Sequence, residues 1–186
     1  MIKWSYSSLK QFKTCPRQYY EIRVAKNFIP REGDDARYGK EVHKALEEYV
    51  RDGKPLPKFY EHFKKMVDPL LEIPGQRFCE HEMALTKDSK PCGFSAPEYW
   101  VRGIADLLIV DGDTAFVVDY KTGKTSYADP NQLKLMALMV FAHFPEVKTV
   151  KTALFFIAHN AFMPEEYRRE QSEVMWKIFN DDLARL

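Results

Sequence analysis

The chain has 186 residues, with 28 Lys and Arg against 27 Asp and Glu and a formal net charge of +1. At roughly 100–200 residues per domain this is the length of a single domain. Hydrophobic residues at 45% beside charged residues at 30% are enough for a core, which excludes general disorder. The near-zero charge excludes a histone-like, purely electrostatic nucleic-acid binder, but not an enzyme that meets nucleic acid through a local patch. Cys15, Cys79 and Cys92 are an odd count without C-x-x-C spacing, which supports neither a disulfide framework nor a zinc ribbon. The first residues carry no apolar leader core, and no apolar run approaches the roughly 18–20 residues of a membrane span. The expectation is a reducing, cytoplasmic protein with no membrane partner.

In chain order, serines open residues 5–20, Leu9 and Phe12 sit three apart, and Pro16 marks a break. A short helix followed by a turn rich in Tyr and Arg is expected. Residues 31–35 read as a polar loop. Tyr38, Val42, Leu46, Tyr49 and Val50 recur at helical spacing over 36–51. A further helix is expected near 57–72, with Phe59, Phe63, Met66, Val67 and Leu70 on one face. The period then changes. Residues 78–86 read as a strand and 87–97 as a loop. Residues 99–110 and 115–121 read as a hairpin about Asp111-Gly112-Asp113-Thr114. Asp129-Pro130 opens a helix bearing Leu133, Met136, Ala137, Val140 and Phe144. Residues 149–158 form another strand. Pro164 opens a last helix with Tyr167, Val174, Met175, Ile178 and Phe179. The fold class is therefore α/β, a mixed sheet flanked by helices, in one domain. Its parts are 1–75, mainly helical, 76–160, the sheet and its helix, and 161–186, a C-terminal helix.

The hairpin holds the chemistry. Residues two apart on a strand share a face, so Asp119 and Lys121 point the same way. With the turn centred on Gly112-Asp113, cross-strand partners sum to 225, and Asp106 falls opposite Asp119 on that face. Opposed side chains have Cβ atoms about 4.5–5.5 Å apart. Like charges there repel unless a cation lies between them, and Mg²⁺ or Mn²⁺ answers that need with a preference for carboxylate oxygens. Two carboxylates and a Lys suit phosphodiester hydrolysis: the metal acidifies water, and Lys121 positions the nucleophile or stabilises developing charge. The bland alternative is a surface hairpin with Asp106 salt-bridged to Lys121. His43, one helical turn after Gly39, sits at the edge of a buried face, either as a satisfied core-edge histidine or as a third metal ligand. Glu80 and Glu82 share a face of the preceding strand; Glu82 is the preferred addition to the site, and a solvated strand face is the alternative for both.

Gly39-x-x-x-His43, Gly103-x-x-Asp106, Asp119-x-Lys121-Thr122-Gly123 and Gln132 at a helix start stand in the order of a known family. With the N-terminal run Ser8-Leu9-x-x-Phe12-x-x-Cys15-Pro16-x-x-Tyr19, the chain resembles the PD-(D/E)xK nuclease superfamily. It is most similar to the RecB-like branch, which includes CRISPR-adaptation exonucleases and AddAB nuclease domains. The resemblance implies a restriction-endonuclease-like core. It also implies Mg²⁺ or Mn²⁺ bound by His43, Asp106, Asp119 and the Tyr120 backbone carbonyl, with Lys121 catalytic and Gln132 beside it. The family's usual Tyr four residues after that Gln is Met136 here. Some relatives hold an iron–sulfur cluster with a Cys at the place of Cys15 and three C-terminal cysteines; no cysteine follows Cys92, so no cluster is expected. The implied activity is a DNase leaving 5′-phosphate and 3′-hydroxyl ends, foremost an exonuclease on ends or single strands. It would serve recombination, repair or phage DNA processing, with a helicase, recombinase or single-strand-binding partner. The alternatives are a structure-specific endonuclease of the same fold and a catalytically retired module that binds DNA or protein.

Residues 1–31 hold seven Lys and Arg against one Glu, a local balance of +6. This segment reads either as a phosphate-contacting region or as a solvated helix face. Its Lys10, Lys13 and Arg17, with Tyr19 and Lys124, are the DNA-contact candidates. Tyr19, Tyr20 and Trp4 either stack on unpaired bases or pack in the core.

Overall fold

The computed structural model describes residues 2–186. Ser5 caps helix α1 (Tyr6–Thr14): its hydroxyl accepts the Ser8 N–H, and the Ser8 hydroxyl accepts the Ser5 N–H. Cys15 is extended, and Pro16 starts α2 (Pro16–Tyr19), which continues as a π-helical turn to Val24. The Cys15 thiol is half-buried and caps α2 by accepting the Gln18 N–H at 3.4 Å.

Helix α3 (Asp34–Asp52) begins inside the expected polar loop, because Asp34 and Asp35 favour the positive end of a helix dipole. The helix expected over 57–72 is divided. A 3₁₀ segment (Lys58–Phe63) leads into α4 (Lys64–Leu71). Three residues per turn throw Phe59 off the apolar stripe, so it is 74% exposed, while Phe63, Val67 and Leu70 stay buried.

The six-stranded sheet has the order β2-β1-β3-β4-β5-β6. Its strands are β1 (Gln76–Leu85), β2 (Pro91–Cys92), β3 (Val101–Asp111), β4 (Thr114–Lys121), β5 (Thr149–Phe156) and β6 (Ala161–Arg168). Only β4 and β5 pair in parallel, which requires a crossover; α5 (Pro130–His143) supplies it, capped by the Asp129 carboxylate on the Asn131 N–H. The sheet is thus mixed, α/β, and flanked by helices, as in a restriction-endonuclease-like core.

The last part corrects the sequence reading. Residues 161–168 are a strand, and the final helix α6 (Ser172–Leu183) starts later. Pro164 opens no helix; it sits in an edge strand, where a missing N–H is tolerated. Val174 and Ile178 accordingly lie on the outer face of α6, 69% and 38% exposed, while Met175 and Phe179 are buried.

Two apolar layers hold the sheet. Helices α5, α1 and α6 cover one face through Leu133, Met139, Leu9 and Phe179. Helices α3 and α4 cover the other through Val42, Leu46, Val67 and Leu70.

Two neighbouring strands, β1 and β3, change face at one level. On β3, Val101 and Ala105 pack under α5, but Leu107 and Ile109 pack under α3. A regular strand would keep all four on one face. On β1, Met83 and Leu85 pack under α5 while Cys79 turns toward α3. The slip falls at Glu80 and Asp106. The ladder pairs Cys79 with Leu107 and His81 with Ala105, and Glu80 between them has φ +48°. A left-handed non-glycine residue costs on the order of 1–2 kcal/mol, and such strain gathers at functional sites.

Candidate metal centre

The hairpin register is the one expected, running from Asp111 opposite Thr114 to Leu107 opposite Val118. The ladder stops one pair short of Asp106 and Asp119. There the Asp106 Oδ2 accepts the Tyr120 N–H at 2.7 Å, replacing a backbone carbonyl. Asp106 is thereby fixed at the strand crossing, with its side chain 11% exposed.

Asp119 continues the β4 alternation toward α5, 5% exposed. Its Oδ1 accepts from Gln132 Nε2 at 2.5 Å, and Gln132 Oε1 accepts from Lys121 Nζ at 3.0 Å. Lys121 Nζ closes the ring as an ion pair, 2.5 Å from Asp119 Oδ2. Lys121 is the partner of this buried oxygen, which meets no other donor. The first turn of α5 therefore locks Asp119 and Lys121 together, with Oδ2 against the ammonium.

His43 reaches the same place from α3. Its Nε2 lies 3.0 Å from the Tyr120 carbonyl, and its Nδ1 lies 3.4 Å from Asp106 Oδ1. If Nε2 carries the proton it donates to that carbonyl, and the Nδ1 lone pair faces the carboxylates, the tautomer a metal ligand needs. The Tyr120 carbonyl, expected as a ligand, is engaged here in orienting His43. Donor atoms of His43, Glu80 and Asp106 all lie within 4.8 Å of one another, a group suited to a metal ion.

The carboxylate that β1 contributes to this group is Glu80, whereas Glu82 is solvent-exposed. Period-two counting puts both on one face; the φ of +48° at Glu80 breaks that alternation. This backbone turn left no mark in the sequence beyond the carboxylate itself.

The electrostatics report crowded negative charge. Burial and the neighbouring Asp106 push Asp119 up to about 6, against the pull of Lys121. Burial and Asp106 push Glu80 up to about 7. For His43, desolvation lowers the pKa, but the Asp106 hydrogen bond and the charges of Asp106, Asp119 and Glu80 outweigh it and raise it. Two carboxyl groups pushed toward neutrality and an imidazole with a raised pKa, gathered around Asp106, form a set that a divalent cation would relieve.

The surrounding cleft, about 560 Å³, is lined by Gly39, Lys40, His43, Lys44, Glu80 and Thr122 among others. A Cβ on Gly39 would lie 3.2 Å from the Thr122 hydroxyl, so glycine lets α3 approach the turn after β4. Lys40 is paired with Glu32 at 2.6 Å, and Lys44 is exposed beside His43. Neither was singled out in the sequence, although they lie one turn apart and flank His43. Met136 is buried, and its Cε would sit 2.6 Å from a Cβ at Gly103. It fills space against β3 and makes no substrate-facing surface.

The remaining candidates contribute no ligand atom to this group. Lys10, Arg17 and Lys124 are exposed, and Lys13 is exposed but paired with Asp182 at 2.7 Å. Tyr19 is buried edge-on to Phe12 and Trp4 is 2% exposed, which removes both as base-stacking surfaces and leaves Tyr20, 55% exposed.

A family model described as the PD-(D/E)XK nuclease superfamily matches residues 3–83 and 61–185. No match was found among proteins of curated function. Among solved structures, one titled "Crystal structure of SSO0001" is similar at 14% identity and a TM-score of 0.48, over 98% of this chain and 75% of that one. Among the described residues no helix is long and apolar enough to cross a membrane.

Proposed function

The chain belongs to the PD-(D/E)XK nuclease superfamily, and from that premise we propose that it is a Mg²⁺- or Mn²⁺-dependent deoxyribonuclease that acts on DNA ends or single strands. The observation that carries this reading is the Asp119–Gln132–Lys121 ring standing beside the His43–Glu80–Asp106 group. A bound divalent cation would acidify a water and neutralise charge on the phosphate. The residues of this chain do the rest. Asp106, Asp119 Oδ2 and Glu80 offer hard oxygen donors, and His43 adds a nitrogen, which suits Mn²⁺ at least as well as Mg²⁺. Gln132 holds Lys121 and Asp119 at fixed spacing, so the ammonium is positioned beforehand where negative charge develops on the phosphate. Lys44 and Lys124, both exposed, would meet flanking phosphates. The accessible faces of Tyr20 and Phe28 support a preference for unpaired bases. Such an enzyme would process DNA in recombination, repair or a phage cycle in the cytoplasm, beside a helicase, recombinase or single-strand-binding partner.

The test is cleavage of linear and closed-circular DNA, single- and double-stranded, in Mg²⁺, Mn²⁺ or EDTA. Linear single strands should be degraded by the wild type with metal, and not with EDTA or by Asp119→Ala. Absence of metal-dependent cleavage by the wild type would refute the proposal. Cutting of closed circles would instead establish the endonuclease reading.

A further inference from the structure

Resting on the reading of a nucleic-acid strand as substrate, we infer that Lys3, Arg23 and Arg102 form a second phosphate site, which holds a single strand away from the metal centre. They line a recess of about 190 Å³ together with Ser5, Tyr19 and Tyr99, and no Asp or Glu lines it. Two backbone hydrogen bonds bring its walls together: Trp4 N–H to the Trp100 carbonyl at 2.9 Å, and Arg102 N–H to the Trp4 carbonyl at 3.2 Å. The N-terminal segment is thus clamped to the start of β3, and Lys3 is held beside Arg102.

The cations are arranged rather than scattered. Lys3 Nζ lies 4.4 Å, and the Arg102 guanidinium 4.8 Å, from the centroid of the same Tyr99 ring. Arg102 also stacks on Phe94 at 4.8 Å. Arg23 is steadied by Gln11, to which its Nε donates at 3.0 Å. Among the described residues none of the three pairs with a carboxylate. Three unneutralised cations around one small recess repel one another, and a phosphate group removes that cost.

The location ties the recess to the metal centre. Arg102 precedes Asp106 by four residues on β3, about 13 Å along the strand. Ile104, between them, is 38% exposed. The segment after α2 makes the second connection: Arg23 lines the recess and Asp35 lines the metal-side cleft. Between these two residues the chain exposes Val24, Phe28 and Ile29, with Tyr20 just before. Basic groups at one end and exposed aromatic faces along the way match a strand whose bases are unpaired. The strand would run from the metal centre past Ile104 into the recess.

The experiment measures binding of a fluorescein-labelled oligothymidylate to the full chain in EDTA over a range of salt. Lys3→Gln/Arg102→Gln should weaken binding about tenfold or more and reduce the log–log salt slope by about 0.7, the contribution of the single phosphate that the recess holds. Lys3→Gln/Arg23→Gln alters two exposed side chains and should act in the same direction, which covers any loss of stability on removing the half-buried Arg102. Unchanged affinity and slope in both variants would overturn the inference. Metal-dependent hydrolysis of bis(p-nitrophenyl) phosphate, too small to span both sites, should stay at the wild-type rate in both. Hydrolysis by the wild type with unaltered oligonucleotide binding in the variants would sink the recess and leave the nuclease reading standing. Binding lost in the variants of a wild type that hydrolyses nothing would do the reverse.

Discussion

Replacing Asp119 by Asn should stabilise the metal-free protein while abolishing its activity. Asp119 is 5% exposed, and burial with the charge of Asp106 lifts it from an ordinary 3.8 to about 6 despite Lys121. An acid whose folded pKa is raised contributes stability that is complete below pH 3.8 and is lost as the pH rises through 6. A shift of about two units corresponds to about 2–3 kcal/mol at neutral pH. Asn carries no charge, so the variant does not incur this loss, and Lys121, about one third exposed, can turn to water. At pH 7.5 without metal, Asp119→Asn should be more stable by about 2–3 kcal/mol, or about 4–12 °C in Tm for a chain of this size. At pH 4 the advantage should vanish. Urea unfolding at the two pH values reads the difference, with EDTA present throughout. A variant less stable than wild type at pH 7.5 would refute the reasoning, because it would mean that the Lys121 ion pair outweighs burial and the Asp106 repulsion. So would an advantage of equal size at pH 4.

Other outcomes follow from the same geometry. Glu80 is pushed up to about 7, so its proton competes with metal near neutrality; Mn²⁺ affinity measured by calorimetry should rise as the pH passes from 6 to 8, and Glu80→Gln should bind more weakly with a flatter profile. Gly39→Ala should lower cleavage several-fold with little change in Tm, because its Cβ would press on the Thr122 hydroxyl at 3.2 Å. Thr122→Ala in the same chain should restore part of the rate, and a strictly additive double variant would contradict the contact. Arg169 spreads its guanidinium over the Phe141, Phe144 and Val147 carbonyls and so closes the C-terminal end of α5. Arg169→Ala should cost about 2–3 kcal/mol in urea unfolding, and Arg169→Lys should recover little of it, since an ammonium lacks the fork.

The hairpin shows what could be read in advance. A two-residue turn fixes register, and the pairing of Leu107 with Val118 follows from counting alone. The neighbourhood of Asp106, Asp119 and Lys121 was legible for that reason. What counting could not supply is where the ladder yields. Asp106 takes a backbone N–H with its side chain, and Glu80 turns left-handed opposite it. Both depend on three strands meeting, which a pairwise register does not contain. Unbroken alternation puts Glu80 and Glu82 on one face and cannot choose between them, whereas the left-handed turn at Glu80 does. Strand β6 was missed because Pro164 carries two opposite meanings, a helix start or an edge strand, and only its pairing with Ala153 decides between them. The recess at Lys3, Arg23 and Arg102 draws on three distant segments, so the basic N-terminus was visible in the sequence but its partner on β3 was not.

The central claim is that the kinked strands and α3 build one divalent-cation site. Anomalous diffraction from crystals soaked in Mn²⁺ tests it most directly. The account predicts one strong peak about 2.1–2.2 Å from oxygens of Asp106 and Asp119, with Glu80 or His43 completing the protein ligands. A peak elsewhere on the chain, or none at these residues at millimolar Mn²⁺, would contradict it.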